Sequence, residues 1–127
     1  MVQFLLTQIC KIKAAVSTLS GTITDIGNSI KTQVLTNESG VRIAKSGNIV
    51  VIELMGYNWD GTTEISIPSA AQNDRQIENL CYSYGDRTKR LSMVKKGNTN
   101  TITFLDIDTG ATAGSLSNIR GILVYTI

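Results

Sequence analysis

The sequence predicts a mainly β protein, with an antiparallel β-sandwich or jelly-roll-like head behind an N-terminal α-helical coiled coil that we expect to be trimeric. Hydrophobic residues recur at heptad spacing over residues 2–33. From residue 41 onward the period changes to two, with turn-forming residues about every ten positions. We therefore divide the chain into a coiled-coil neck (1–33), a linker (34–40) and a β head domain (41–127).

The neck is defined by its a and d positions. With Val2 at position a, nine of the ten core positions are aliphatic and the alternating spacing of three and four never slips. A period of 3.5 places these side chains in one seam that has to meet a partner helix. The expected oligomerisation residues are Val2, Leu5, Ile9, Ile12, Val16, Leu19, Ile23, Ile26 and Ile30. The tenth position is Gln33, where a polar layer would fix the register.

The neck residues favour three chains over two. Layers with Ile at both a and d favour trimers, although layers of Val with Leu favour dimers, and Leu6 and Ala15 widen the apolar stripe. Ser, Thr and Gly are frequent over Ser17–Ser29 and form helices poorly, so we expect a firm helix to about Leu19 and a looser stretch after it. Two alternatives remain: a helix folded back on its own domain, and an extended Gly21–Asn28 segment.

The head reads as a series of about seven short strands, which is typical of a sandwich or jelly roll. A first hairpin turns at Ser46-Gly47-Asn48, a loop follows over Gly56–Thr62, and Pro68 ends the next strand. Further strands are predicted over Ile77–Tyr84, Arg90–Lys95, Thr101–Ile107 and Asn118–Ile127. In the first of these, the residues expected to be buried are Ile77, Leu80 and Tyr82.

Composition excludes several kinds of partner. The net charge is +2 with charges scattered along the chain, so no basic tract indicates nucleic acid or a membrane surface. No apolar run is long enough to suggest membrane insertion, and the N-terminus lacks the basic and apolar regions of a signal peptide. Cys10 and Cys81 are isolated, which favours free thiols and synthesis in a reducing cytoplasm.

The residues give little sign of catalysis. The chain has no histidine, which excludes a Ser-His-Asp triad and a histidine metal site, and it has no phosphate-binding glycine pattern. Glu53, Asp60, Glu64 and Glu78 have no spacing that pairs them for glycoside hydrolysis. We therefore expect no enzyme, no cofactor and no metal, with a small carbohydrate-active enzyme as the least favoured alternative.

Aromatic residues beside polar ones are the candidates for ligand binding. Aromatic faces stack on the apolar faces of sugars, while neighbouring amides and charged groups bind hydroxyls. The candidate residues are Tyr57, Asn58, Trp59, Asp60, Tyr82, Tyr84 and Arg87. The alternative is that these aromatics pack within the domain or between subunits, and it applies most strongly to Trp59.

Two segments carry a resemblance to a known family. The run Gly40–Val50, with the sequence GVRIAKSGNIV, resembles the opening hairpin of tail-fibre and receptor-binding head domains of bacteriophages and prophages. The last residues, Gly121–Ile127, are similar to the short apolar strand on which such heads finish. The order of helical neck, linker and compact β head also matches this family.

The resemblance implies a viral protein located in the virion tail. It would be a homotrimer that attaches to a glycan or protein of the host bacterial surface and that contacts other virion tail proteins. Assembly in the host cytoplasm would fit the missing signal peptide and the free cysteines. The main alternative is a purely structural virion or baseplate component that holds neighbouring proteins.

Overall fold

The structure is a computed structural model that describes residues 2–127, apart from the side chains of residues 28–30. It divides into two compact units, with the boundary between Lys31 and Thr32. The first unit contains helix α1, and the second contains eight strands and one short 3₁₀ turn. The elements are α1 (Val2–Ile30), β1 (Gln33–Glu38), β2 (Val41–Ser46), β3 (Ile49–Trp59), β4 (Ile65–Ser66), the 3₁₀ turn (Ser69–Ala71), β5 (Ile77–Ser83), β6 (Leu91–Lys95), β7 (Thr101–Asp106) and β8 (Leu116–Thr126). The prediction of a mainly β protein is confirmed.

Helix α1 is continuous over 29 residues, so the alternative of an extended Gly21–Asn28 segment is wrong. Its threonines fit the helix because their hydroxyls donate to the carbonyl oxygens four residues earlier, as Thr18 does to Ala14 at 3.1 Å and Thr22 to Thr18 at 3.1 Å. The helix ends at Ile30, and Gln33 begins β1. The expected polar layer at Gln33 is therefore not part of the helix.

The heptad seam of α1 is exposed in the single chain. The eight a and d side chains from Val2 to Ile26 are each between 56 and 73 % exposed. The side chain of Ile30, the remaining residue of the predicted seam, lies outside the described residues. Across the part of the chain that the structure describes, no helix combines the length and the apolar character needed to cross a membrane.

The eight strands form one antiparallel sheet in the order β1-β2-β3-β8-β5-β6-β7-β4. The segment predicted to be a linker, residues 34–40, is corrected to strand β1 and the tight turn to β2. Gln33 pairs with Lys45, and Glu38 pairs with Val41. The backbone hydrogen bonds of a hairpin form because Ser39 and Gly40 both adopt positive φ angles, 53° and 83°, which reverse the chain in two residues.

The sheet curls so that strands far apart in its order face each other. Phe104 on β7 contacts Tyr57 and Trp59 on β3, at ring-centroid distances of 6.2 and 5.0 Å. The edge strands β1 and β4 border one open groove. The core fills the concave face with side chains that alternate along the strands. Its most deeply buried apolar members are Ile43, Val50, Ile52, Leu91, Met93, Ile102, Phe104, Ile119 and Leu123.

Strand β5 places two of the three residues predicted to be buried on the outer face, whereas the third, Ile77, is partly buried and packs against the core. Leu80 and Tyr82 are exposed by 71 and 51 %, whereas Cys81 and Ser83 are buried. The pairing of β5 with β8 determines which face of β5 is buried. Cys81 lies opposite Gly121, and a side chain at position 121 would have little room. An added Cβ at Gly121 would lie 2.8 Å from the Cβ of Cys81 and 2.9 Å from the sulfur of Met93.

Candidate functional site

The sequence predicts two aromatic segments as ligand sites, and the first contains Trp59. This residue ends β3 and is not in a loop as predicted, because β3 continues past two irregularities in its pairing with β8. Its side chain is 3 % exposed and its indole N–H donates to the carbonyl of Thr63 at 2.8 Å. Trp59 therefore belongs to the core beside Phe104, and the packing alternative describes it.

Tyr57 and Asn58 are also used by the fold. The ring of Tyr57 is partly buried and stacks on Phe104 at an interplanar angle of 28°. Burial raises the pKa of its hydroxyl, and the charge of Asp60 adds to the effect. One side of Tyr57 lines the groove between β1 and β4, which has a volume of about 250 Å³. The side-chain oxygen of Asn58 accepts the backbone N–H of Asn118 at 2.9 Å, at a position in β8 with positive φ.

The carboxylate of Asp60 closes the turn after β3. One oxygen accepts the backbone N–H groups of Thr62 at 2.8 Å and Thr63 at 2.7 Å, and the other accepts the Thr63 hydroxyl at 2.6 Å. These hydrogen bonds, led by those from Thr63, lower the pKa of Asp60 to about 2. Most of its accepting capacity is used within the chain, which leaves little for a sugar hydroxyl.

The second segment lies on the convex face and is open to solvent. Tyr82 and Tyr84 are exposed by 51 and 40 %, and their rings meet edge to face at a centroid distance of 5.2 Å. The guanidinium carbon of Arg87 lies 4.7 Å from the centroid of the Tyr84 ring. The structure thus brings these three predicted residues together.

Arg120 is a fourth member that the sequence analysis does not identify. It lies opposite Tyr82 in the pairing of β5 with β8, and its guanidinium carbon is 5.1 Å from the centroid of the Tyr84 ring. Alternation along β8 places Arg120 on the convex face. Only the pairing of β8 with β5 brings it beside the tyrosines, and no local sequence signal reveals that pairing. We refer to Tyr82, Tyr84, Arg87 and Arg120 as the Tyr–Arg cluster.

Hydrogen bonds between β5 and the start of β8 hold the tyrosines on the convex face. The hydroxyl of Ser83, which is fully buried, donates to the Ser117 carbonyl at 2.5 Å and accepts the Asp86 N–H at 3.2 Å. The N–H of Tyr84 donates to the Asn118 carbonyl at 3.1 Å. With Ser83 directed inward, its two tyrosine neighbours are directed outward.

The positive charge of the cluster comes from Arg87 and Arg120. Within residues 2–127, neither Arg87 nor Arg120 forms an ion pair. The nearby carboxylate of Asp86 accepts from the N–H and hydroxyl of Thr88 and lies 3.7 Å from the Lys89 ammonium. The cluster is therefore a patch of two positive charges around an aromatic pair.

Electrostatic interactions also reach the hydroxyl of Tyr82. Its pKa is raised, first by the neighbouring Tyr84, while the charges of Arg120 and Arg87 act in the opposite direction. Both guanidinium groups are therefore close enough to stabilise a negative charge near Tyr82.

The four carboxylates considered for glycoside hydrolysis have separate partners. Glu53 pairs with Arg42 at 3.2 Å, Glu64 with Lys96 and the Thr101 hydroxyl, and Glu78 with the amide of Gln76 at 2.8 Å, while Asp60 closes its own turn. Among the residues that the structure describes, no group of three or more histidine, cysteine or acidic side chains could hold a metal ion.

The chain was compared with protein-family models, with curated proteins and with solved structures, and none of them matches it.

Proposed function

We propose that this protein is a homotrimeric tail-fibre or receptor-binding protein of a bacteriophage or prophage, in which three α1 helices form a coiled-coil neck and each β unit is a jelly-roll-like head. Its role is attachment to a glycan or protein of the bacterial surface. The resemblance of Gly40–Val50 and Gly121–Ile127 to phage heads supports the class of protein. The exposed seam of α1 supports the oligomer.

The seam is the single observation that carries the proposal. Burying a Val, Leu or Ile side chain contributes roughly 1.5–3 kcal/mol, and the eight described a and d residues of α1 are all more than half exposed in one chain. A helix rich in Ser, Thr and Gly is also unstable by itself. Both facts are explained if α1 packs in the seam of identical helices, because a heptad repeat is complementary to itself in register.

Attachment is supported by the Tyr–Arg cluster on the convex face. It presents two exposed aromatic rings and two guanidinium groups without carboxylate partners among the described residues. Such a combination is typical of recognition surfaces, where Tyr and Arg are enriched. Three copies in a trimer would present three such clusters and bind a repetitive cell surface with increased avidity.

Sedimentation equilibrium of the full chain tests the oligomer. The expected mass is three times the 13.7 kDa of one chain. Ile12→Asp places a charge in the seam and should yield monomers at micromolar concentration, because an unpaired charge in an apolar core is strongly unfavourable. Ala14→Asp, at position f of the same helix, is the matched control and should remain trimeric. A wild-type chain that stays monomeric would contradict the proposal.

Binding of the fluorescently labelled full chain to a panel of bacterial strains tests attachment. We expect saturable binding to at least one strain and competition by polysaccharide extracted from that strain. Absence of binding to every strain, together with capture of a tail protein from a phage lysate, would replace attachment with the structural role in the virion.

A further inference from the structure

We propose that the Tyr–Arg cluster binds an oxyanion-bearing saccharide, in which a carboxylate or phosphate group lies between Arg87 and Arg120 and a sugar ring lies against Tyr82. This inference rests on the proposed attachment function and specifies the class of ligand. It is carried by the geometry of four residues that come from two strands and one turn.

Two arginines of the cluster contact the same aromatic ring. The guanidinium carbons of Arg87 and Arg120 lie 4.7 and 5.1 Å from the centroid of one ring, that of Tyr84. Both guanidinium groups therefore contact the Tyr84 ring, and no carboxylate of residues 2–127 forms an ion pair with either of them. Guanidinium groups bind carboxylates and phosphates through paired N–H donors. An oxyanion bound by both groups would balance their charge and accept from their N–H donors.

Two of the other three arginines, Arg42 and Arg90, differ from those of the cluster, whereas Arg75 also has no ion pair within residues 2–127. Arg42 is paired with Glu53, and Arg90 donates to Asp108 through its Nε at 2.9 Å. The chain therefore neutralises these two arginines with its own carboxylates. At the Tyr–Arg cluster it provides aromatic contact in place of a carboxylate.

The exposed ring of Tyr82 provides a surface for a sugar ring. Tyr82 meets Tyr84 through an edge contact at an interplanar angle of 72°, and half of its surface is exposed. Tyr82 also borders an open groove of about 300 Å³, lined further by the apolar Leu80, Leu91 and Ile107 and by the basic Lys89 and Arg90. The C–H face of a sugar ring can pack against such an apolar, aromatic wall while its hydroxyl groups face water.

The paired strands β5 and β8 hold the cluster in place. The cluster stands on β5 and β8, whose pairing is fixed by Cys81 opposite Gly121 and by the buried hydroxyl of Ser83. Three of its four side chains are therefore on or directly next to sheet strands, and only Arg87 is in the turn after β5. A site that is already ordered loses less conformational entropy on binding.

Calorimetric titration of the full chain with three probes tests the proposal. The probes are a glucuronic acid-containing tetrasaccharide, an oligomer of glycerol phosphate bearing glucose, and neutral maltotetraose. We expect saturable binding of at least one anionic probe, and binding of maltotetraose at least about tenfold weaker. The stronger anionic probe identifies whether the ligand group is a carboxylate or a phosphate. Added salt should weaken this binding.

Matched variants locate the binding. Arg87→Gln and Arg120→Gln should each weaken binding of the anionic probe by about 10- to 100-fold, because each removes charged hydrogen bonds. Arg75→Gln removes the same charge from an exposed loop before β5 and should have no effect. Sedimentation of all three variants should match the wild type, which excludes an indirect effect through the oligomer.

Three results would overturn the inference. They are no saturable binding of either anionic probe, equal binding of maltotetraose, and an equal loss of affinity in Arg75→Gln. The proposed function is tested separately by adhesion of the same variants to cells. A double variant that combines Arg87→Gln with Arg120→Gln is included in this adhesion assay. If it adheres to cells as the wild type does, the protein still functions in attachment, but this site does not mediate that attachment.

Discussion

Two segments of the chain look alike in sequence and have opposite roles in the structure. Tyr57-Asn58-Trp59-Asp60 and Tyr82-Ser83-Tyr84-Gly85-Asp86 each place two aromatics one residue apart and follow them with an aspartate. In the first, both rings pack on Phe104 and Trp59 is 3 % exposed. In the second, both rings lie on the convex face and are at least 40 % exposed.

The difference shows that the sequence of an aromatic pair does not by itself determine which face of the sheet its two rings occupy. Alternation puts both rings of a pair on the same face, but the neighbours of the strand decide which face that is. For the first pair, Phe104 on β7 provides an apolar surface across the curled sheet. For the second, Ser83 occupies the inner face and bonds to the Ser117 carbonyl.

Truncating one aromatic from each pair should have very different effects on stability. Trp59→Ala leaves a cavity beside Phe104 and should lower the free energy of unfolding by about 3–5 kcal/mol. Tyr84→Ala removes an exposed ring and should lower it by less than about 1 kcal/mol. Urea denaturation at one fixed protomer concentration measures both, since the proposed oligomer would add a concentration-dependent contribution to stability. Equal losses in the two variants would mean that the pairs are not divided between core and surface.

Gly121 lies opposite Cys81 and is the next residue to substitute. Its small size allows β5 and β8 to approach each other with Tyr82 on the outer face. Gly121→Ala places a methyl group 2.8 Å from the Cβ of Cys81 and 2.9 Å from the Met93 sulfur. We expect a loss of about 1–3 kcal/mol from overpacking. Gly114→Ala is the matched control, because nothing lies within 4 Å of an added Cβ there. A neutral Gly121→Ala would contradict the close packing of these strands.

The aspartates that follow the two pairs should both titrate below their ordinary value. The pKa of Asp60 is lowered to about 2 from an ordinary value of 3.8, first by the Thr63 hydroxyl. A lowered pKa in the folded state stabilises the fold above the ordinary pKa, and that contribution is lost as pH falls from about 4 to about 2. Asp60→Asn should remove this part of the pH dependence of the urea midpoint.

Titration followed by NMR of the two carboxyl carbons compares the aspartates directly. The pKa of Asp86 is also lowered, first by the Thr88 hydroxyl, so both carboxyl groups should titrate below their ordinary value. Asp60 should titrate near 2. An ordinary pKa for Asp60 would show that the turn after β3 does not depend on this carboxylate.

Part of the candidate site could be predicted from the sequence. Tyr82, Tyr84 and Arg87 are close in the chain, and a strand followed by a turn keeps such neighbours together. Arg120 could not be predicted, because it joins them only through the pairing of β8 with β5. Tyr57, Asn58, Trp59 and Asp60 were predicted as binding residues for the same local reason, although their main contacts are within the fold. Composition does not distinguish an aromatic that binds a ligand from one that fills a core.

Local periodicity is sufficient to predict the type of most elements. The heptad repeat predicts α1 with its aliphatic seam, and alternation with turn residues predicts most strands of the β unit. Local periodicity does not identify β1, because a polar strand resembles a linker. It also underestimates the second half of α1, where threonine hydroxyls donate to backbone carbonyls of the helix.

Tertiary structure alone decided the order of the strands and the face that each presents. Residues such as Leu80 and Tyr82 are apolar enough to be buried, yet they are exposed because Cys81 pairs with Gly121 and takes the inner face. A shift of one residue in a strand moves every side chain to the other face. That choice depends on packing between residues distant in the chain, which short-range patterns do not encode.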